Sequence, residues 1–405
     1  MVVAGFTTEE AFAIEHLREK SRHLLKPSYD TDYNLLRWAQ GYDFNLDDAL
    51  YHLIRHLKFR ELYELEQSDK WKDDRTLKQY FPLGLVGATG KANYLLVVEC
   101  AGRIDLQGIL NSVQMSTFLF QRLKFQEMML KEINKMEKIH NSQCHGVYIL
   151  DLEGIKLDPK LLSIATGPYR ILWTLVYTNY PEWLKTFMII NAPSFIALVW
   201  KAVAAFLPER TRNKVKIFSS QDEVREELAQ YCDMSCVPKH WGGQLVDKNG
   251  DPMCRDRLVI PTDPIPKHLY WSPDKESPAR SELEELVIRP GQTRIITVIL
   301  AKHSQNSFMV INRFADRTYS MGLYYSPDLE TGSNIELKNM EDYGPEFDYP
   351  AMPTTDYFKS KTLGAGVYKI QFGNNSAWFR SLTLYYRVRM VDENNVTIKC
   401  DITVD

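Results

Sequence analysis

Between residues 93 and 231 the hydrophobic period switches back and forth between two and 3.6 residues, and this alternation constrains the fold more than any other feature. NYLLVVEC (93–100) has strand character, MSTFLFQRLKFQEMMLKEINKMEKI (115–139) repeats apolar residues at helical spacing, and HGVYILDLEG (145–154) is again a strand. Residues 159–178 then predict a helix, FMIINA (187–192) a strand, 194–207 a helix, VKIFSS (215–220) a strand and 221–231 a helix. Strands separated by helices pair in parallel and are covered by those helices, so the order implies an α/β layer with a mainly parallel sheet. Its end is expected near Gln244.

On either side the pattern changes. Thr7 with Glu10 makes a capping box ahead of Ile14, Leu17, Ser21 and Leu24, YNLLRWAQ (33–40) predicts a second helix, and Asn45 caps a third bearing Leu46, Leu50, Leu53 and Leu57. An all-helical subdomain is therefore expected over 1–66 and the α/β domain over 67–245. Residues 246–276 are dense in Pro and Asp and predict an extended linker. From 277 to 405 short alternating strands follow one another: ELEELVI and IITVILA around the hairpin signal RPGQTR (289–294), then SFMVINRF, TYSMGLYY, GVYKIQF and SLTLYYRVRMV. Such a run predicts an all-β antiparallel sandwich.

Composition excludes several classes. With 44% hydrophobic and 25% charged residues the 405-residue chain is globular, and a net charge of -3 without a basic stripe predicts no nucleic-acid partner. The start MVVAGFTTEEAF lacks an export signal, and Val2 stands where myristoylation needs glycine, so the expected compartment is the cytosol. There, six scattered cysteines are expected as thiols, and the sequons at Asn374 and Asn395 as unused. VGATGKAN (86–93) lacks the first glycine and the Ser or Thr of a phosphate loop, and predicts a turn before a strand. His52 and His56 stand four apart without the glutamate of a zinc protease, and are expected as surface histidines. No nucleophile elbow or paired-cysteine metal site occurs; the expectation is a protein that is not an enzyme and holds no metal or cofactor.

What remains is a stretch with one formal charge, Lys201, in eighteen residues: IINAPSFIALVWKAVAAF (189–206). It does not read as a membrane span, because Pro193 ends the strand and Ser194 caps a helix over 194–207. That helix is about 20 Å long, against a hydrocarbon core of about 30 Å. On a helical wheel Phe195, Leu198, Val199, Ala202, Val203 and Phe206 share one face, and Ile196, Trp200 and Leu207 widen the apolar arc to roughly 200°. A helix lying on one core needs about half that arc, so two apolar surroundings are expected. One is a cavity within the protein, walled also by Tyr148, Ile171, Trp173, Val176, Tyr177 and Ile190, and the other a membrane surface or a second protein. Glu182, Thr211 and Lys214 flank the apolar unit as candidate ligands for a polar headgroup.

Several stretches carry a family resemblance: LLRWAQGYDFNLDDAL, ILDLEG, YPEWLKTFMIINAPSFIALVWKAVAAFLPERTRNKVKI and VPKHWGGQL resemble the CRAL-TRIO lipid-exchange family. LGAGVYKIQFGNNSAWFRSLTLYYRVRMV (363–391) resembles a GOLD domain, and the order is that of the supernatant protein factor and tocopherol-associated branch. The resemblance implies a lipid-holding domain whose cavity is closed by a mobile helix, here 194–207, and a GOLD sandwich that contacts protein partners. It implies that Glu182, Thr211 and Lys214 hold phosphatidylinositol. Four departures stand against the pattern: Tyr42 stands at the place of a phosphate-binding Arg, Trp183 follows YPE in place of another Arg, Ala204 and Ala205 replace a Lys-Pro pair common near the end of the gate, and Gly146 and Tyr148 replace the Ser and Thr that hold phosphatidylcholine in a fungal member. The implied function is that of a lipid carrier or sensor. Two alternatives are an adaptor in Golgi traffic or signalling and a carrier of tocopherol- or squalene-like neutral lipid.

Overall fold

The structure, a computed structural model, describes residues 5–91, 93–158, 160–301, 306–375 and 377–405. Val2, Ala92, Pro159 and Ser376, on which expectations about myristoylation, the phosphate loop, a helix start and one sequon turn, lie outside the described residues. The chain forms two units: Met1–Leu57, Gln67–Ile109 and Gln121–Pro266 make the first, and Lys58–Glu66, Leu110–Phe120 and Lys267–Asp405 the second.

The first unit opens with helices α1 (Thr8–Ser21), α2 (Asp32–Gly41) and α3 (Leu46–Leu62), the last extending into the second unit. The Thr7–Glu10 capping box is present, and Asn45 accepts from the Asp48 amide at 3.4 Å. After α4 (Arg75–Tyr80) come β1 (Leu83–Ala88), β2 (Tyr94–Glu99), α5 (Leu106–Ser112) and α6 (Met115–His140). Then follow β3 (His145–Asp151), α7 (Lys160–Thr166), α8 (Pro168–Asn179), β4 (Leu184–Ile190), α9 (Ile196–Ala204), α10 (Glu209–Arg212), β5 (Val215–Ile217) and α11 (Gln221–Tyr231). The sheet runs in the order β1-β2-β3-β4-β5, with β1 antiparallel to β2 and the other pairs parallel. Strand β1, LGLVGA, is an addition to the expected set, since two glycines dilute its β signal.

One face of this sheet packs solid. Leu96, Val98, Val147, Ile149, Met188 and Ile190 meet Val224 and Leu228 of α11 and Trp241. Ile190 is thus core, a correction to its expected place in the cavity wall; its neighbour Ile189 faces the other way, as alternation along a strand requires. Three of the motifs meet beside this core. Asp151 of ILDLEG accepts from Asn191 of INAP at 2.8 Å and from the Trp241 indole of VPKHWGGQL at 2.9 Å. Those segments are therefore a structural lock.

Further differences have local causes. The helix expected over 159–178 is two, because the chain breaks at Gly167 and Pro168, without an N–H, starts α8. Ser194 does not cap α9: Phe195 is its N-cap, with no side-chain hydrogen bond. His56 is no surface residue but 1% exposed, 3.0 Å from the Asn179 side-chain oxygen and ringed by Tyr29, Trp38 and Tyr180, while His52 stacks on Tyr42. The first part of the expected linker is packed: Met253, Leu258 and Ile260 join the core, and Arg257 Nη1 donates to the Val86 carbonyl at 2.9 Å.

In the second unit β6 (Glu284–Ile288), β7 (Thr293–Leu300), β8 (Phe308–Ala315), β9 (Tyr319–Ser326) and β10 (Glu341–Tyr349) are followed by β11 (Asp356–Lys361), β12 (Gly366–Gly373), β13 (Leu382–Val391), β14 (Thr397–Ile398) and β15 (Asp401–Val404). They form two antiparallel sheets, β10-β9-β12-β7-β15 and β11-β8-β13-β14, with β6 on β13. RPGQTR does turn the chain, but β6 and β7 enter different sheets. Pro290 followed by Gly291 at φ 69° makes a type II turn, closed by Gln292 N–H donating to the Arg289 carbonyl at 3.1 Å. That turn type splays its flanking strands instead of pairing them. Lys58–Glu66 and Leu110–Phe120 belong to this unit through buried Phe59, Leu62, Leu65, Phe118 and Leu119.

Candidate functional site

The other face of the first unit's sheet is not filled. Leu184, Phe187 and Ile189 of β4 line a chamber of about 150 Å³, closed by Leu161 and Ile164 of α7, Tyr169 and Trp173 of α8, and Ile196, Val199, Trp200 and Val203 of α9. A second space of about 460 Å³ adjoins it, sharing Trp173, Leu184 and Thr211. Its walls combine apolar Val176, Pro181 and Trp183 with the polar or charged Tyr42, His52, Tyr177, Glu182, Arg210 and Lys214. A greasy chamber thus opens beside a charged vestibule.

The vestibule is built around Glu182, held at φ 50°, a left-handed conformation uncommon outside glycine that costs of order 1–3 kcal/mol and concentrates at binding sites. Lys214 Nζ donates to Glu182 Oε2 at 2.8 Å, and Arg210 Nη1 lies 3.6 Å from Glu182 Oε1. Arg210 also bonds the Asp43 carboxylate and the Gln40 carbonyl. These four ionic side chains carry two positive and two negative charges, and Glu182 and Lys214 remain about one-fifth exposed. At the place where the resemblance has an arginine, the Tyr42 ring stacks on His52 at 4.6 Å. Burial, then Asp48, pushes the Tyr42 hydroxyl up to about 12, so it remains a neutral donor.

Sequence reasoning brought some residues together and missed others. Trp173, Val199 and Val203 line the chamber; Tyr177, Val176, Glu182 and Lys214 line the vestibule; Thr211 lines both. Leu198, 71% exposed, and Phe206, 40% exposed, turn away from the chamber, and the Arg170 guanidinium lies 4.2 Å from the Phe206 ring centre. Phe195 and Ala202 are half-buried and line neither space, while Ile171 is buried. The wheel residues first placed sideways, Ile196, Trp200 and Leu207, face inward together with Val199 and Val203. Tyr148 borders a separate void of about 20 Å³ with Arg122 and Trp183. Gly146 permits that arrangement: a Cβ there would stand 2.8 Å from the Trp183 ring.

Two residues at the chamber floor were missed, Glu99 and Tyr169. The Tyr169 hydroxyl donates to Glu99 Oε1 at 2.8 Å, the Tyr148 hydroxyl donates to Glu99 Oε2, and Arg122 Nη2 lies 3.3 Å from both Oε2 and the Tyr148 oxygen. Glu99 was visible in sequence only as a carboxylate ending an apolar strand. Asp151, Glu153 and His240 have ligand atoms within 4.8 Å of one another, but both Asp151 oxygens already accept hydrogen bonds and Arg103 holds Glu153 at 2.5 Å.

Comparison with known proteins agrees with this architecture. The CRAL/TRIO domain model matches residues 78–243, and the model described as F28H7_8_C:-like, C-terminal domain matches 269–399. The CRAL-TRIO domain-containing protein F28H7.8 of Caenorhabditis elegans is 31% identical over 390 residues, covering 95% of this chain and 90% of that one. Protein ctg-1 of the same organism is 24% identical over 391 residues, covering 95% and 98%. The crystal structure of Sfh5 superposes with a TM-score of 0.50 at 17% identity, covering 65% of this chain and 95% of that one, which is a likeness of fold. No helix among the described residues is long and apolar enough to cross a membrane. With its chamber, its vestibule and a relative of this identity along nearly its whole length, the chain belongs to the family of CRAL-TRIO domain-containing proteins.

Proposed function

We propose that the protein is a non-enzymatic lipid carrier or sensor that takes its ligand into the chamber beneath α9 while resting on a membrane surface reached from the cytosol. One observation carries this reading: α9 is apolar on both sides, with Val199 and Val203 on the chamber and Leu198 on solvent. An outward Leu198, with the exposed Phe206 just beyond the helix end, suits a helix that meets hydrocarbon when it swings open. Extracting a lipid exposes apolar surface at about 0.8 kcal/mol per methylene, so about thirty methylenes cost over 20 kcal/mol in water. A chamber of about 150 Å³ is smaller than the roughly 300–1,000 Å³ of ordinary ligand pockets, so a two-chain lipid requires α9 to move outward. In the vestibule Glu182, Thr211 and Lys214, with Arg210, suit the hydroxyls and phosphate of phosphatidylinositol. The test is mass spectrometry of lipid copurifying with the protein, together with exchange between vesicles. Val199→Trp with Val203→Trp is expected to fill the chamber and abolish both; uptake by that variant, or no lipid and no exchange by the unaltered protein, defeats the reading.

A second reading rests on the other unit. Trp378 and Phe379 are 85% and 91% exposed on the loop between β12 and β13, and that loop is pinned by the Asn374 side chain donating to the carbonyls of Ile288 and Arg380. An exposed aromatic pair beside an arginine has the composition of a protein-docking hot spot, which supports an adaptor role in Golgi traffic or signalling through a GOLD-type unit. Replacing both aromatics with alanine should remove partner capture while lipid exchange persists. If the cellular role survives this change but not the chamber-filling one, the adaptor reading is lost.

A further inference from the structure

Three empty spaces meet at one side chain. Trp173 of α8 lines the chamber of about 150 Å³, the vestibule of about 460 Å³ and the void of about 20 Å³ beside Arg122 and Trp183. Chamber and vestibule also share Leu184 and Thr211, and the backbone fixes both: Leu184 pairs with Gly146 in the sheet, and the Thr211 N–H donates to the Pro208 carbonyl at 3.0 Å. Trp173 is held more loosely. The Trp38 and Trp241 indoles each donate to a side chain at 2.9 Å, whereas no described residue accepts from the Trp173 indole. Its described ring contact is edge-on to Phe187, with centres 4.9 Å apart. A side chain in a close-packed core has atoms on every side, and a half-buried ring bordered by three spaces does not.

From this arrangement we infer that the Trp173 indole is a movable partition between vestibule and chamber. It is then the residue that decides whether a ligand anchored at Lys214 can pass its hydrocarbon chain into the chamber. The inference rests on the carrier reading with a headgroup in the vestibule, and deepens it. Outward movement of α9 enlarges the chamber but does not join it to the vestibule, since no residue of α9 is among those lining the latter. Turning the indole aside does join them. The chamber alone is below the roughly 300–1,000 Å³ of ordinary ligand pockets, and the two spaces together fall within that range. The joined site is apolar at the Val199 end and charged at the Lys214 end, as one amphipathic ligand requires.

A homologous series of single-chain alkyl phosphates, titrated by calorimetry against the full-length protein, tests this. Affinity is expected to rise roughly fourfold with each added methylene, and to go on rising once the chain is longer than the vestibule. In Trp173→Ala the short members should bind as they do to the unaltered protein. The long members should bind about 2- to 10-fold more tightly, because the edge-on contact with Phe187 no longer has to be given up. A plateau at short chains in the unaltered protein makes the indole a fixed wall and overturns the inference. A change of the same size for short and long members makes Trp173 an ordinary structural residue and overturns it too. No binding by any member overturns the headgroup vestibule itself, and the inference with it. The length series on unaltered protein decides between moving and fixed ring whether or not Trp173→Ala folds.

Discussion

Gly146 and Trp183 show how a residue-scale departure becomes legible only in pairs. In sequence they are separate changes at two places of a family pattern; in the structure the Trp183 ring lies where a Gly146 side chain would be, and the Gly146 amide donates to the Trp183 carbonyl at 2.7 Å. Gly146→Ala should therefore cost about 1–3 kcal/mol by overpacking, read as a lower urea midpoint. In a Trp183→Ala background the same change should cost less than about 0.5 kcal/mol. Equal costs in both backgrounds would refute the contact. The neighbouring His145 supplies a pH dependence. Burial, then Arg37, Lys214 and Lys185, pulls its pKa down to about 3, against about 6.5 for an unfolded chain. The unfolded state takes up its proton first, so this contribution is complete above about pH 6.5 and is lost as pH falls from there toward 3. Urea midpoints at pH 7.5 and 5 should differ more for the unaltered protein than for His145→Gln. Neither effect was readable beforehand: the motif letters mark positions, but which side chain rests on which depends on the register of β3 against β4.

Elements were easier to read than their faces. The helix after INAP was expected over 194–207 and runs over 196–204, and its apolar arc is divided between the chamber and solvent. Which arc faces inward was not readable, because a helix greasy nearly all round offers no polar stripe to orient it. In the second unit the clean alternation of β13 made a strand evident, whereas β11, DYFKSK, is an addition to the expected set, and so is the polar group it buries. The Asp356 carboxylate of β11 accepts from Arg313 Nε at 3.0 Å and Nη2 at 2.8 Å, and from the amide and hydroxyl of Ser116 at 2.8 and 2.7 Å. Ser116 is in the first turn of α6, where free amides and the helix dipole favour an anion. Asp356→Asn leaves the Arg313 charge, 1% exposed, without its counter-ion. The expected loss is about 3–5 kcal/mol, localised to the second unit by hydrogen exchange. Unchanged protection in β8 and β11 would show the pair to be dispensable.

At the scale of the whole molecule the alternation of periods was enough for the α/β layer and for a β-rich C-terminal part, whereas the partition of the chain was not readable. A Pro- and Asp-dense stretch has the composition of a linker, yet residues up to Pro266 belong to the first unit, where Gly84 allows the Arg257 carbonyl and Leu258 to approach β1 closely. The second unit in turn takes Lys58–Glu66 and Leu110–Phe120 from the first half of the sequence. Nothing in a helical repeat announces which body its last turn will join. The consequence is testable by cutting. A fragment of residues 1–266 keeps Phe59, Leu62, Leu65, Phe118 and Leu119 but loses the strands of the unit in which they are buried, at about 1.5–3 kcal/mol for each large side chain returned to water. A fragment of residues 267–405 loses the same contacts from the other side, and with Ser116 one of the two partners of Asp356. Each fragment alone is expected to yield less soluble protein and a lower thermal midpoint than the full chain. A fragment of residues 1–266 that is soluble, monomeric and as heat-stable as the full chain would mean that these two segments stand in the first unit on their own, and that the two units are separable at the proline-rich stretch after all.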